Sequence, residues 1–341
     1  MVSLKEIKGR IASVGNTRKL TSAMKMVASA KLHKAQGVIE NLAPYQEELQ
    51  RLLGHLLQQT GGVAHSPLVR RRPVRRVAVV AFASNGSLCG GFNANVQRRL
   101  AAMVEEYRPL GVENLQVYVV GKKVADEVRK WGIRSVDSVP QPVGLEAADK
   151  CASTGERGGV LWLETLAEKP TYEGATALVQ TLVDAFLRGE IDRVELLYPH
   201  FQSTASQPLV RETYLPMSPE AILSGTTSSE RGAAAVSSET VRRETSSGTS
   251  SPQPMLPVAD YLVEPSAPEL LQELLPKVLR LKLYTVLLDS RTAEHAARTL
   301  AMQTATDNAD AMLQDLTLQY HKSRQQAITN ELLDIMGGSM A

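Results

Sequence analysis

The run most like a reactive site is Ser84-Asn85-Gly86-Ser87-Leu88-Cys89-Gly90-Gly91-Phe92-Asn93, which follows an apolar segment and precedes a helix-forming one. A glycine-rich turn between a strand and a helix is where backbone amides can cradle a phosphate. Its glycines depart from GxGxxG spacing, and no GK[ST] tripeptide occurs in the chain, so the nucleotide-binding fingerprints are missing. Cys89 has nothing beside it that marks a nucleophile and reads as a small buried side chain. The other of the two cysteines, Cys151, is distant, and neither has CxxC or CxxH spacing, so no disulfide framework or zinc site is indicated. A reducing compartment is the natural reading. The six histidines lack metal-ligand spacing, and no paired-carboxylate or Ser/His/Asp constellation can be placed. The expectation is a chain with no catalytic residues, no cofactor and no metal.

Charge is the second candidate. The first 40 residues carry eight Lys or Arg (5, 8, 10, 18, 19, 25, 31, 34) against Glu6 and Glu40, a local net of 8 − 2 = +6. Such a basic face is either simply solvated or a nucleic-acid footprint. The whole chain has a net charge of only +2, too little to argue for a polyanionic partner overall. The 43% apolar content supports a real core, and the 4% aromatic content favours long helices over an aromatic-packed sandwich. No stretch of about 18 apolar residues occurs, and the N-terminus lacks a signal-peptide core, so neither a membrane span nor export is expected. Glu6 and the helical pattern beyond it favour a mature N-terminus over a transit peptide.

These residues need elements to hold them. Ser3-Leu4-Lys5-Glu6 has the form of a capping box, so a helix is predicted from Leu4. Apolar residues recur at Leu4, Ile7, Ile11 and Val14, then at Met24, Val27, Ala28, Ala35 and Ile39, a helical stripe. A kink is expected at Pro44 and an end at Gly61-Gly62. Residues 4 to 59 would span roughly 84 Å. At the other end, Lys277 to Met336 contains no Gly or Pro and Gly337-Gly338 follow as a stop, predicting a helix of roughly 90 Å. Its middle is rich in alanine, at 293, 296, 297, 301, 305, 309 and 311, which lets a neighbouring helix approach closely. Two such helices bury their stripes most simply against each other, as an antiparallel coiled coil.

Between them, VAVVAFAS after Arg76, NLQVYVVG from Asn114 and RVELLYPHF from Arg193 read as buried strands, alternating with helical segments near 92–107, 121–131 and 171–189. That order predicts an α/β fold with a mainly parallel, Rossmann-like central sheet. The expected divisions are an N-terminal coiled-coil helix over 1–60, the α/β domain over 75–217, a flexible insert over 218–257 and a C-terminal coiled-coil helix over 268–341. Residues 224–251 contain nine Ser and five Thr, half of that segment, and are expected to be disordered.

Three runs carry a resemblance: IASVGNTRKLTSAMKMVASAKLHKAQ at 11–36, SLCGGFNANV at 87–96, and AARTLAMQTATDNADAMLQDLTLQYHKSRQQAITNELLDI at 296–335. Together they cover about a quarter of the chain, and the order of intervening elements extends the match to nearly all of it. They resemble the γ subunit of F-type ATP synthases. The resemblance implies a rotating central stalk, with its paired helices inside a hexamer of α and β subunits and its α/β domain toward the membrane. Its foot would be fixed to the ε subunit and the membrane c-ring. Proton flow would thereby be coupled to ATP synthesis or hydrolysis in the β subunits. Neither nucleic acid nor a small-molecule substrate is implied as partner, and the implied location is peripheral, on the cytoplasmic face of a bacterial inner membrane.

The resemblance also implies particular contacts. Met24 and Lys25 match positions facing an acidic lever loop of the β subunit, although a Met in a helical stripe is by itself more often core packing. Arg298, Arg324 and Gln325 match positions that hydrogen-bond a β-subunit loop, with Thr329 on the same face. Without the resemblance these residues read as an ordinary solvated helix face. The turn departs from the family pattern Ser/Thr-Asp-Arg-Gly-Leu-Cys-Gly by having Asn85, Gly86 and Ser87, which removes a charged pair. The insert occupies the place where photosynthetic relatives carry a regulatory cysteine pair; it contains no cysteine, so dithiol control through it is chemically excluded. An enzyme built on a nucleotide-binding α/β domain, or a coiled-coil scaffold without a rotary role, are the competing classes.

Overall fold

The computed structural model describes residues 4–59, 66–70, 72–136, 138–140, 160–217, 264 and 266–338. Ser3 of the capping box, Gly61-Gly62, Cys151 and the Ser/Thr-rich segment lie outside the described residues. Helix α1 is Leu4–Gln59, 56 residues, and the last helix, α6, is Ala267–Gly338, 72 residues. At 1.5 Å per residue they run roughly 84 and 108 Å. They pack antiparallel: Thr21 Oγ1 and Thr306 Oγ1 are 2.9 Å apart, Arg18 pairs with Asp310, and Thr285 Oγ1 donates to Gln46 Oε1 at 3.4 Å. The seam buries Ile7, Ala28 and Leu32 of α1 and Ala293, Ala296, Met302 and Ala309 of α6. Small side chains there let the backbones close on each other without leaving voids.

Both helices continue through a proline, Pro44 and Pro276. The glycine- and proline-free run from Lys277 is therefore the larger part of a longer helix. An interior proline removes one hydrogen bond and crowds the preceding turn. At Pro276 that cost is outweighed by a fully helical stripe, Leu271, Leu275, Leu279 and Leu283, each at most 6% exposed, that spans the proline.

The strands form one five-stranded sheet in the order β3-β2-β1-β6-β7. These are β1 Val77–Phe82, β2 Leu115–Val120, β3 Arg134–Val136, β6 Arg193–Pro199 and β7 Leu209–Leu215. The first four are mutually parallel and β7 runs antiparallel to β6, while β4 Ser138–Pro140 and β5 Val160–Trp162 make a separate pair. All six β1 residues are buried because both faces of the sheet are covered. Val77, Val79 and Ala81 face a core with Val96, Leu100 and Met103 of α2 (Phe92–Tyr107) and Val124 and Val128 of α3 (Lys122–Lys130). Ala78, Val80 and Phe82 face the other core, built from Leu178, Leu182 and Phe186 of α5 (Tyr172–Leu187), Leu275, Leu279 and Leu283 of α6, and Leu53 and Leu56 of α1. The short helix α4, Leu163–Glu168, joins that second core through Leu163 and Leu166. The ends of the two long helices are thus part of the α/β core, so the layer cannot turn without them.

Strand β7 was not expected from the sequence, because its half-exposed edge position replaces an apolar run by LVRETYL. Its Arg211 ties the edge down. Arg211 Nε donates to Glu195 Oε2 at 2.8 Å and Nη1 to Glu106 Oε2 at 2.6 Å, while Nη2 donates to the Tyr107 hydroxyl at 2.7 Å, which donates to Glu195 Oε1 at 2.6 Å. Glu195 is 2% exposed. Replacing Arg211 with alanine leaves that carboxylate with Arg193 at 3.7 Å as its remaining cation. The expected loss is about 3 kcal/mol, read as a lower thermal unfolding midpoint of the full chain.

Candidate functional site

The turn singled out in the sequence sits at the C-terminal end of β1 and rests on α6. Asn93 holds it from inside: its Oδ1 accepts from Ser84 N at 3.1 Å, and its Nδ2 donates to Ser84 Oγ at 2.9 Å and to Gly86 O at 3.1 Å. The turn places Leu88 and Gly90 in the left-handed region, at φ 66° and 59°. Cys89 is buried with Phe92 against Ala293 and Ala297 of α6. Its Sγ accepts from Asn93 Nδ2 at 3.4 Å, so the thiol is a packing group. Asn85 reaches outward: its Oδ1 accepts from Lys122 N at 3.0 Å, capping α3 where Gly121 supplies no side chain, and its Nδ2 donates to Glu164 O of α4 at 2.7 Å. Gly121 itself is required, since at φ 127° a Cβ would lie 2.5 Å from Ala83 O. The departure at Asn85 therefore keeps a working clamp, one whose signal in the sequence was only that Asn favours turns and caps.

The α6 segment under this turn is charged. Arg298 Nη2 donates to Glu294 Oε1 at 2.7 Å, with side chains 21% and 13% exposed. His295, 5% exposed, has no partner for its buried Nδ1. Burial, then Arg291, Arg298 and Lys31, push its pKa down to about 4, so it is neutral. Arg291 also has a buried Nη1 without a partner.

A second tie lies where β6 ends. His200 Nδ1 and Asp289 Oδ2 of α6 are 2.6 Å apart, and Phe201 N donates to Asp289 Oδ1 at 2.9 Å. The hydrogen bond to Asp289 raises the His200 pKa above its ordinary 6.5, against the opposing effect of burial. A raised folded-state pKa contributes stability that is complete below the unfolded value and is lost as pH rises through the folded one. The difference in unfolding midpoint between the wild type and His200→Gln is therefore expected to be larger at about pH 6 than at about pH 9. An equal difference at both would show that the pair does not titrate. Nothing in the sequence signals this contact, because its members are 89 residues apart.

The residues singled out by resemblance are not brought together. Met24 and Lys25 are half-buried on α1, beside Met26 and Val27, which are 66% and 57% exposed. Arg324, Gln325 and Thr329 are exposed on α6, with Thr329 Oγ1 donating to Gln325 O at 2.9 Å. The pairing of residue 18 with 310 sets Leu4 opposite a position near Arg324, roughly 30 Å along the pair from Met24. From there α6 runs on for about 20 Å past Leu4, the first described residue of α1. Ile328, Leu332, Leu333, Ile335 and Met336 are all exposed along this stretch. Arg298 is the exception among the site residues, since it is engaged within the chain by Glu294 and the turn.

A long antiparallel helix pair, with an α/β layer fused to one end and exposed apolar residues at the other, defines a stalk-type subunit. Among the described residues, no group of three or more His, Cys, Asp or Glu could hold a metal ion, and no helix is long and apolar enough to cross a membrane. The ATP synthase family profile matches residues 3–341. The chain is 50% identical over 341 residues to the ATP synthase gamma chain of Phocaeicola vulgatus, covering 100% of both. It is 35% identical over 343 residues to that of Flavobacterium psychrophilum, covering 100% of this chain and 99% of the relative. A chain in the Euglena gracilis mitochondrial ATP synthase shares the fold, with a TM-score of 0.54 and 16% identity over 99% of this chain and 94% of that one. The chain belongs to the ATP synthase gamma chain family.

Proposed function

We propose that the chain is the rotating central stalk of an F-type ATP synthase, carrying torque between a membrane ring and β-subunit catalytic sites while having no active site of its own. The observation that supports this best is the far end of α6, where Ile328, Leu332, Leu333 and Ile335 are exposed, as a shaft end seated in a surrounding sleeve requires. In this reading the hexamer of α and β subunits surrounds the helix pair, and ε and the c-ring take the other end. Met24 and Lys25 meet the acidic lever loop, and Arg324, Gln325 and Thr329 meet a β-subunit loop near the tip. The chain works peripherally, on the cytoplasmic face of a bacterial inner membrane.

The test is co-purification. The tagged full chain is expected to bring down α and β subunits, and recovery without them would sink the reading. The rigorously purified chain is expected to show no ATP turnover, with activity appearing only when α and β are added. Steady turnover by the chain alone would point instead to an enzyme built on the α/β layer.

A further inference from the structure

Gly86 is a glycine without a backbone reason to be one. It is not among the glycines of positive φ, unlike Gly90 four residues later in the same turn. A Cβ at position 86 would meet a single atom within 4 Å, Arg298 Nη2 at 3.2 Å. That contact is tighter than side chains ordinarily make, and the atom it meets is the one bonded to Glu294. The guanidinium therefore lies beside the bare backbone of Gly86, with its Nη2 on Glu294 of its own helix. Arg298, Arg291 and Lys31 all act on the buried imidazole of His295, so three cations gather at this point of the helix pair. The nearby opposite charges, Glu294 and Glu168, act on Arg291 from the same region.

We infer that Gly86 is a positioning residue for Arg298: by presenting no side chain it lets the guanidinium fold down onto the turn and tie the shaft helix to the α/β layer, instead of projecting toward a neighbouring subunit. Arg298 then acts as an internal strut, in place of the β-loop contact that resemblance implies for it. A side chain at 86 would push the guanidinium off the turn, because even its Cβ would meet Nη2 at 3.2 Å. That the strut carries torque rests on the stalk reading; that Gly86 sets the position of Arg298 does not.

The thermal unfolding of the full chain tests the positional part. Gly86→Ala in an Arg298→Ala background is expected to raise the midpoint by about 1–2 °C, because alanine restricts the unfolded chain and nothing remains for its Cβ to meet. In the wild-type background the same substitution is expected to give no rise, or a fall. Gly86→Leu is expected to lower the midpoint by several degrees with Arg298 present and far less without it. Equal shifts in both backgrounds for either substitution would overturn the inference. In the assembled complex, Gly86→Leu is expected to cut ATP turnover by about threefold or more at unchanged subunit content, with no further loss beyond that of Arg298→Ala alone. Should the unfolding cycle hold and the turnover cycle prove additive, the torque role falls while the positional role stands.

Discussion

Replacing Met24 with lysine is expected to leave the chain folded and the complex assembled while lowering the protons pumped per ATP hydrolysed. Met24 is half-buried on α1, in a stretch whose next apolar residues, Met26 and Val27, face outward. By the register of the helix pair, the acids nearest a new ammonium within the chain are Asp307 and Asp310. Asp307 already accepts from Gln303 at 2.7 Å and Asp310 is paired with Arg18. In the proposed contact the new cation would take a carboxylate from the β-subunit lever loop. A charge-assisted bond is worth about 1.5–3 kcal/mol, and one that must break on each passage slows turnover by about tenfold or more. A methionine in that contact would slide past, being flexible and uncharged. An unchanged pumping ratio, measured in reconstituted vesicles, would remove Met24 from the mechanism.

The second large effect is expected at the far end of the shaft. Arg324→Ala combined with Gln325→Ala removes two exposed side chains from the stretch where α6 runs on past Leu4. Neither touches the core, so the unfolding midpoint of the full chain should move by no more than about 0.5 kcal/mol would produce. If both bond a β-subunit loop in one rotational state, the lost guanidinium contact alone should lower turnover of the assembled complex by about tenfold. Normal turnover with intact assembly would return both residues to a solvated helix face.

The particular elements show why some of this was legible in the sequence. VAVVAF was readable as a strand because both faces of β1 are covered, so every position had to be apolar. The long helices were readable because their stripes persist over many turns, a signal that a local breaker such as Pro44 does not erase. Edge strand β7 was not, since Arg211 and Glu212 answer to partners on α2, β6 and α6 that adjacent sequence does not reveal. The place of Arg298 beside the turn was hidden for the same reason, although its pairing with Glu294 has the i, i+4 spacing of a helix face. Its role in the chain depends on a glycine more than two hundred positions away, and an absent side chain leaves no pattern. Asn85 was intermediate: the residue type announced a turn, while its bonds to Lys122 N and Glu164 O needed the fold.

The most direct test of the stalk reading is to watch the chain move. With the α and β hexamer fixed to a surface and a bead attached to an exposed residue of the α/β layer, adding ATP is expected to drive continuous rotation in one direction. Cross-linking α1 to a β subunit should stop the bead and the ATP turnover together. A bead that does not rotate while ATP is consumed, or turnover that persists undiminished after the cross-link forms, would contradict the account.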